Sequence, residues 1–328
     1  MLQKTFLGVL FAVLVSGFLI AGINFNVTKA EHYSSLSTTV GGIIWENTTW
    51  TLENSPYIIT DTVQIPENVT LAIEPGVVCL SSVIHDYMFL VHGTIYAHGT
   101  IDDKIVFDGG GISAFFNADG SGPDAFVDLE YCIFKNGSFF WWGGHGRFSL
   151  RHSELIDVAQ DNAAYGTIFI LYPEKDIFVE YNKFIRTGGF SIGHRKANVY
   201  IRYNLFKGKN PNVPSADFIV QNLASYDDSE TIVKYNSFID MNGVVLKLKP
   251  SSLPTPNTII ATENYWETND TDVIDSMIYD KNDDINCAGY IDYLPVLSEP
   301  HPNTPKIGSI IYVDDDNTAG PWDGTVEH

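Results

Sequence analysis

The chain has 328 residues, 45% of them hydrophobic, with 19 Lys+Arg against 40 Asp+Glu and a formal charge of −21. That length and apolar content supply a large core, in one elongated domain or two compact ones, and exclude a disordered tail. The charge argues against general nucleic-acid or anionic-membrane binding, both of which need a basic footprint, and suits an exterior protein or one that holds cations.

In chain order, residues 1–30 read as an export signal. Lys4 is a short basic start, Phe6 to Ile23 is nearly all apolar, and Thr28 and Ala30 place small residues before a cut after Ala30. The apolar run exceeds an ordinary signal core, so an uncleaved anchor is the alternative. Residues 31–60, with Trp45 and Trp50, are expected to cap one end of the domain that begins at residue 61. Val69–Leu80 and Phe89–Thr100 then carry apolar strand-like runs punctuated by Pro75-Gly76 and Gly93-Thr94. Asn47, Asn68, Asn136 and Asn269 head N-x-S/T sequons, acceptors only where exported proteins are glycosylated.

From Leu129 a six-residue phrase recurs: LEYCIF, LRHSEL at Leu150, VEYNKF at Val179, IRYNLF at Ile201, VKYNSF at Val233 and ATENYW at Ala261. Its fourth letters are Cys132, Ser153, Asn182, Asn204, Asn236 and Asn264, separated by 21, 29, 22, 32 and 28 residues. A period of that size marks stacked repeats, each burying its face against its neighbours. Inside a phrase the spacing is that of a strand: Val179 and Tyr181 are expected on one face and Glu180 on the other, with a bend at Asn182. Stacked bends would let Asn182, Asn204, Asn236 and Asn264 form a structural amide ladder. The sixth letters, Phe134, Leu155, Phe184, Phe206, Phe238 and Trp266, are expected as an interior column. The second letters, Glu130, Arg151, Glu180, Arg202 and Lys234, alternate in sign across the first four, which fixes register more than it adds stability. Further apolar runs at 139–142, 168–171, 190–192, 218–220 and 244–248 give every repeat at least a second strand, so the fold is an all-β parallel solenoid.

Residues 61–297 resemble the right-handed parallel β-helix (pectate-lyase-like) superfamily, and the exported archaeal and bacterial surface proteins that share its fold. Val69–Leu80 resembles that group's opening coil, Phe89–Thr100 its next coil, and Glu263–Asp270 with Ile274–Leu297 its closing segment, although Glu267 stands where Gly is usual. Residues 298–309 read as a Pro-rich linker, and 310–328 resemble the truncated start of a further module. The resemblance implies a secreted or cell-surface protein. It is weak for activity, because the fold carries many functions.

Chemistry is expected where side chains of successive repeats form a row. After the second strand runs stand His145 and Arg147, then Lys175, then His194, Arg195 and Lys196, then Gln221 and Asn222, then Lys247, with Trp141 and Trp142 beside them. A chain poor in basic residues gathers many of them here. One reading is a groove for an anionic polysaccharide or envelope glycan, and the other is ordinary solvated turns. An enzyme, a polysaccharide lyase or glycoside hydrolase, is the alternative function. It would use Arg195 and His194 as base and acid and Lys196 as a carboxylate clamp. Asp280, Asn282 and Asp284 offer alternate oxygens for calcium, the one cofactor considered. Ile285 stands where an EF-hand needs Gly, so that motif is excluded. His85, His92 and His98 have no ligand spacing. Cys79, Cys132 and Cys287 include no CxxC pair, so zinc is not suggested, and at most one disulfide can form.

Overall fold

A computed structural model of the chain describes residues 37–81, 87–114, 124–136, 140–143, 146–158, 167–209, 218–225, 227–250 and 257–306; the side chains of 140 and 141 lie outside the description. The chain divides into two units, Met1–Tyr33 and Ser34–His328. The expected signal or anchor and the 310–328 tail lie outside the described residues. No helix among the described residues is long and apolar enough to cross a membrane.

The described residues form two long parallel sheets, of ten and seventeen strands. The chain visits them in a fixed cycle. Ile177–Glu180 belongs to the ten-strand sheet, and Lys183–Thr187 and Phe190–His194 to the larger one. The next cycle, Val199–Arg202, Leu205–Lys209 and Val220–Ser225, pairs onto each of these strands in parallel register. Each cycle is thus a rung of three strands, one per wall, where the sequence promised at least two. Such an arrangement is compatible with a β-helix-like solenoid. The ten-strand sheet is the first wall, running from Thr48–Trp50 through Phe126–Glu130 and Arg147–Arg151 to Ile291–Asp292. Strands Thr38–Ile43 and Thr48–Trp50, in the segment expected as a cap, pair in parallel with Tyr57–Ile65 and Thr70–Ile73 and so begin the stack.

The stack holds together through columns. Inward residues of the walls, such as Leu129, Leu150, Val179, Ile201 and Val233, are fully buried, each above the last. The sixth-letter column is interior as expected: Phe184 and Phe206 stack at 4.7 Å, Phe206 and Phe238 at 5.4 Å, and Trp266 closes on Phe238 at 4.6 Å. Such ring pairs add about 0.5–1.5 kcal/mol each beyond burial.

The bend differs from the sequence reading. The residue in the left-handed region is the third letter, not the fourth: Tyr131, His152, Tyr181, Tyr203, Tyr235 and Glu263 have φ between 49° and 61°. That conformation breaks the strand's alternation one residue early. Tyr181 therefore leaves the face of Val179 and joins a ring stack, Tyr131–His152–Tyr181–Tyr203–Tyr235, with centroids 4.9–5.0 Å apart. Asn182 turns inward, wholly buried. All three cysteines are free and buried, so no disulfide staples the stack.

Candidate functional site

The amide column is the most ordered polar feature. Asn204 Nδ2 donates to Asn236 Oδ1 at 3.0 Å and to the Val179 carbonyl at 2.9 Å. Its Oδ1 accepts from the backbone N–H of Asn182 at 2.9 Å and from Asn182 Nδ2 at 3.0 Å. Both donors and both lone pairs of the amide are used, which lets it sit at 0% exposure. Asn182 and Asn236 repeat the pattern, and Asn264 closes it by accepting from Asn236. Toward the other end, Ser153 Oγ accepts from the Cys132 N–H at 3.0 Å. The asparagine side chains are thus spent on one another and on the backbone.

The charge column forms ion pairs over part of its length, from Arg151 to Arg202, while Glu130 lies 4.0 Å from His152. Glu180 lies between Arg151, at 3.2 Å, and Arg202. The two guanidiniums also lie over the rings of Phe178 and Tyr200, which stack on each other at 5.2 Å. Lys234, next in register after Arg202, pairs instead with Glu263 at 3.4 Å. On the second wall, Glu154 takes Lys104 at 2.7 Å and Lys183 at 3.1 Å. Burial works to raise the Glu154 carboxyl, but the two lysines outweigh it and hold it below the usual carboxylate value.

The expected binding row is divided by the third wall. Trp141, Phe169, Ser191, Gln221, Lys247 and Tyr279 share one register column. Trp142 and Asn222 belong to the neighbouring column. Trp142 is 2% exposed and packs on Phe148, so it is a core residue and not a platform for a sugar ring. Ser191 and Gln221 are covered and bond each other at 3.2 Å. Lys247 lies over the Tyr279 ring at 5.5 Å. His145 lies outside the described residues.

The corner between the third wall and the next first-wall strand carries the cations. Lys175 pairs with Asp124 at 3.1 Å and Lys196 with Glu174 at 2.6 Å. Arg147 and Arg195 are exposed and have no ion-pair partner among the described residues. The three residues considered for catalysis do not share a pocket. Arg195 and Lys196 stand in an exposed turn, while His194 is wholly buried in the wall behind it. Its Nε2 lies 2.6 Å from Thr231 Oγ1, and burial pushes its pKa down to about 4. A histidine so enclosed cannot hand a proton to a substrate in the turn.

Asp280 is 3% exposed, and its two oxygens accept from the backbone N–H groups of Asn282 and Ile291, each at 2.8 Å. Asp284 likewise accepts from the Asn286 N–H at 2.9 Å. These carboxylates fasten a turn, which leaves the calcium reading without support from this geometry. No group of three or more His, Cys, Asp or Glu among the described residues is arranged to hold a metal. His98 pairs with Asp128 at 3.0 Å.

Sequence reasoning missed the third-letter rings, although YN in three successive phrases was the available signal. It also missed His301. Ser298–Lys306, the described part of the expected linker, returns along the stack. His301 packs on Tyr203 and Tyr235 at 5.0 Å, and Thr304 Oγ1 donates to the Tyr235 carbonyl at 2.8 Å.

Compared with known proteins, the chain matches no family model, no curated protein and no solved structure.

Proposed function

We propose that the chain is an exported, surface-associated right-handed β-helix of the pectate-lyase-like superfamily, whose role is to bind acidic glycan or build the cell envelope. The short left-handed corner with its buried amide column, repeated rung after rung, supports the family reading. The observation that carries the binding role is the pair of exposed cations, Arg147 and Arg195, without ion-pair partners among the described residues, on one corner of a protein of charge −21. Such guanidiniums on so acidic a surface suit carboxylate-bearing sugars, which they grip bidentately. The lyase or hydrolase alternative has less support, because His194, the acid it would use, is buried behind the turn that holds Arg195 and Lys196, and Lys196 is already paired with Glu174.

Calorimetric titration of the full chain with a uronate polymer tests this. Binding is expected to weaken with salt and to fall about tenfold or more in an Arg147→Ala/Arg195→Ala double variant. No measurable binding, or an unchanged double variant, rejects the glycan reading. New unsaturated chain ends, followed by ultraviolet absorbance, would favour the lyase instead.

A further inference from the structure

His194 takes part in a polar chain that crosses several rungs. It ends the third-wall strand Phe190–His194, and its Nε2 meets Thr231 Oγ1, at the start of a first-wall strand two rungs on, at 2.6 Å. Thr231 Oγ1 donates to Asn222 Oδ1 of the intervening rung at 2.7 Å. Asn222 Nδ2 donates in turn to the Thr258 carbonyl at 2.8 Å. His194, Thr231 and Asn222 are each 0% exposed.

Counting protons shows what is special about this chain. The Thr258 carbonyl only accepts, so it fixes the orientation of the Asn222 amide. Asn222 Oδ1 then claims the single proton of the Thr231 hydroxyl. Nε2 must therefore donate to Thr231, while Nδ1 faces another acceptor, the Ala197 carbonyl, at 3.3 Å. A neutral ring has one proton for two acceptors, and only an imidazolium would serve both. Against that stands enclosure away from water, which disfavours the charged form. Charged groups nearby are Arg195 and Lys196 on the same turn, Glu174 and Asp176 on the preceding corner, which bond Lys196 and the Asn198 N–H, and Asp227, Asp228 and Glu230 on the next corner. Of these, Asp227 acts on the ring and favours its charge, but its carboxylate is already held by the Lys196 and Ser229 N–H groups. Burial wins.

We infer that the His194–Thr231–Asn222 chain is an acid-sensitive latch: it closes this corner of the stack around a neutral imidazole, and protonation of His194 opens the corner. Nothing in this depends on what the surface binds. The ring's folded-state value lies below its unfolded one, so stability is whole above the unfolded value of about 6.5 and is lost as pH falls toward the folded value of about 4. Between pH 7 and 5 the unfolding constant is expected to rise about 20-fold on this account alone.

Two measurements on the full chain test the latch. In the wild type, the His194 ring carbon–proton signal is followed by NMR from pH 7.5 to 4, together with amide exchange at Ala197–Val199 and at the remote strand Thr70–Ile73. The ring is expected to titrate well below 6.5, with exchange at the corner, corrected for intrinsic rate, accelerating before that of the remote strand. Titration at or above 6.5, or equal acceleration at both places, overturns the proposal. In His194→Gln, the pH 7-to-5 change in the unfolding constant should shrink by about the same 20-fold, and an unchanged slope also overturns it. The NMR measurement needs no variant, so it decides even where His194→Gln fails to fold.

Discussion

Asn204 shows how a single side chain can couple three rungs. Truncating it to Ala strands the Asn182 N–H and one Asn182 amide proton in a place without water, and takes one donor each from Asn236 Oδ1 and the Val179 carbonyl. Each such group costs about 1–3 kcal/mol, so Asn204→Ala is expected to destabilise by about 3 kcal/mol or more, read as a shift in the urea midpoint. The residue before it sets two effects against each other. Tyr203→Gly would relieve a left-handed backbone, a gain of about 1–2 kcal/mol. It would also remove ring contacts with Tyr181, Tyr235 and His301, at about 0.5–1.5 kcal/mol each before lost burial is added. The rings win, and a net loss of about 1–2 kcal/mol is expected in the same assay; a stabilised variant would show that the stack is idle. The amide was legible in the sequence because a buried Asn at repeat spacing has few uses. The tyrosine was not, because strand alternation was carried one residue too far. Nothing local in YN says which of the two residues takes the left-handed turn.

At the scale of strands, register is held by pairs the sequence exposed only in part. Alternation at Arg151, Glu180 and Arg202 could be read because the phrases align without gaps. The cluster of Glu154 with Lys104 and Lys183 could not, since Lys104 lies before the first phrase. That cluster has a pH signature apart from the latch. Glu154 is held below the usual carboxylate value, so its pairs stabilise fully above the unfolded value of about 4.3 and fail as pH drops through the lower folded one. Acid denaturation of Glu154→Gln should therefore start from lower stability and show a shallower fall below pH 4.3 than the wild type; parallel curves would contradict the pairing. Gly146 belongs to the same scale. An added Cβ there would sit 1.7 Å from the Ala125 carbonyl oxygen, the acceptor of the Arg147 N–H. Backbone stands on the other side of that contact, so Gly146→Ala should separate two first-wall strands and lower soluble yield sharply. The basic residues of the row were legible, but their accessibility was not. Trp142, His194 and Gln221 all lie on strands of the third wall, and which of them is covered depends on register and on neighbouring side chains, which apolar runs alone do not show.

The stack formed by the described residues is close to one-dimensional. Each rung touches mainly the rungs before and after it, so stability is near a sum of rung and interface contributions, and opening should begin at the ends. The ends differ from the middle in what binds them. Ile291–Asp292 is a two-residue strand at the edge of its sheet. Ile201–Phe206 has a strand on either side, with Asn204 bonded to Asn182 and Asn236 and Phe206 stacked between Phe184 and Phe238. The returning segment adds a clamp over the same rungs: His301 bridges Tyr203 and Tyr235, and Thr304 is 5% exposed. Composition suggested a free linker there, since three prolines among Ser298–Lys306 show no strand or helix pattern, and the docking contacts come from Tyr203 and Tyr235, far earlier in the chain. Native-state hydrogen exchange should thus find the slowest amides in Ile201–Phe206 and the fastest in Ile291–Asp292. Asn204→Ala should change more than the total. By cutting the column at its centre it should let the rungs on one side melt apart from the other, which would appear as a lower m-value or two transitions in urea. A single sharp transition with an unchanged m-value would mean that the continuous hydrophobic interior, and not the polar column, makes the stack fold as one unit.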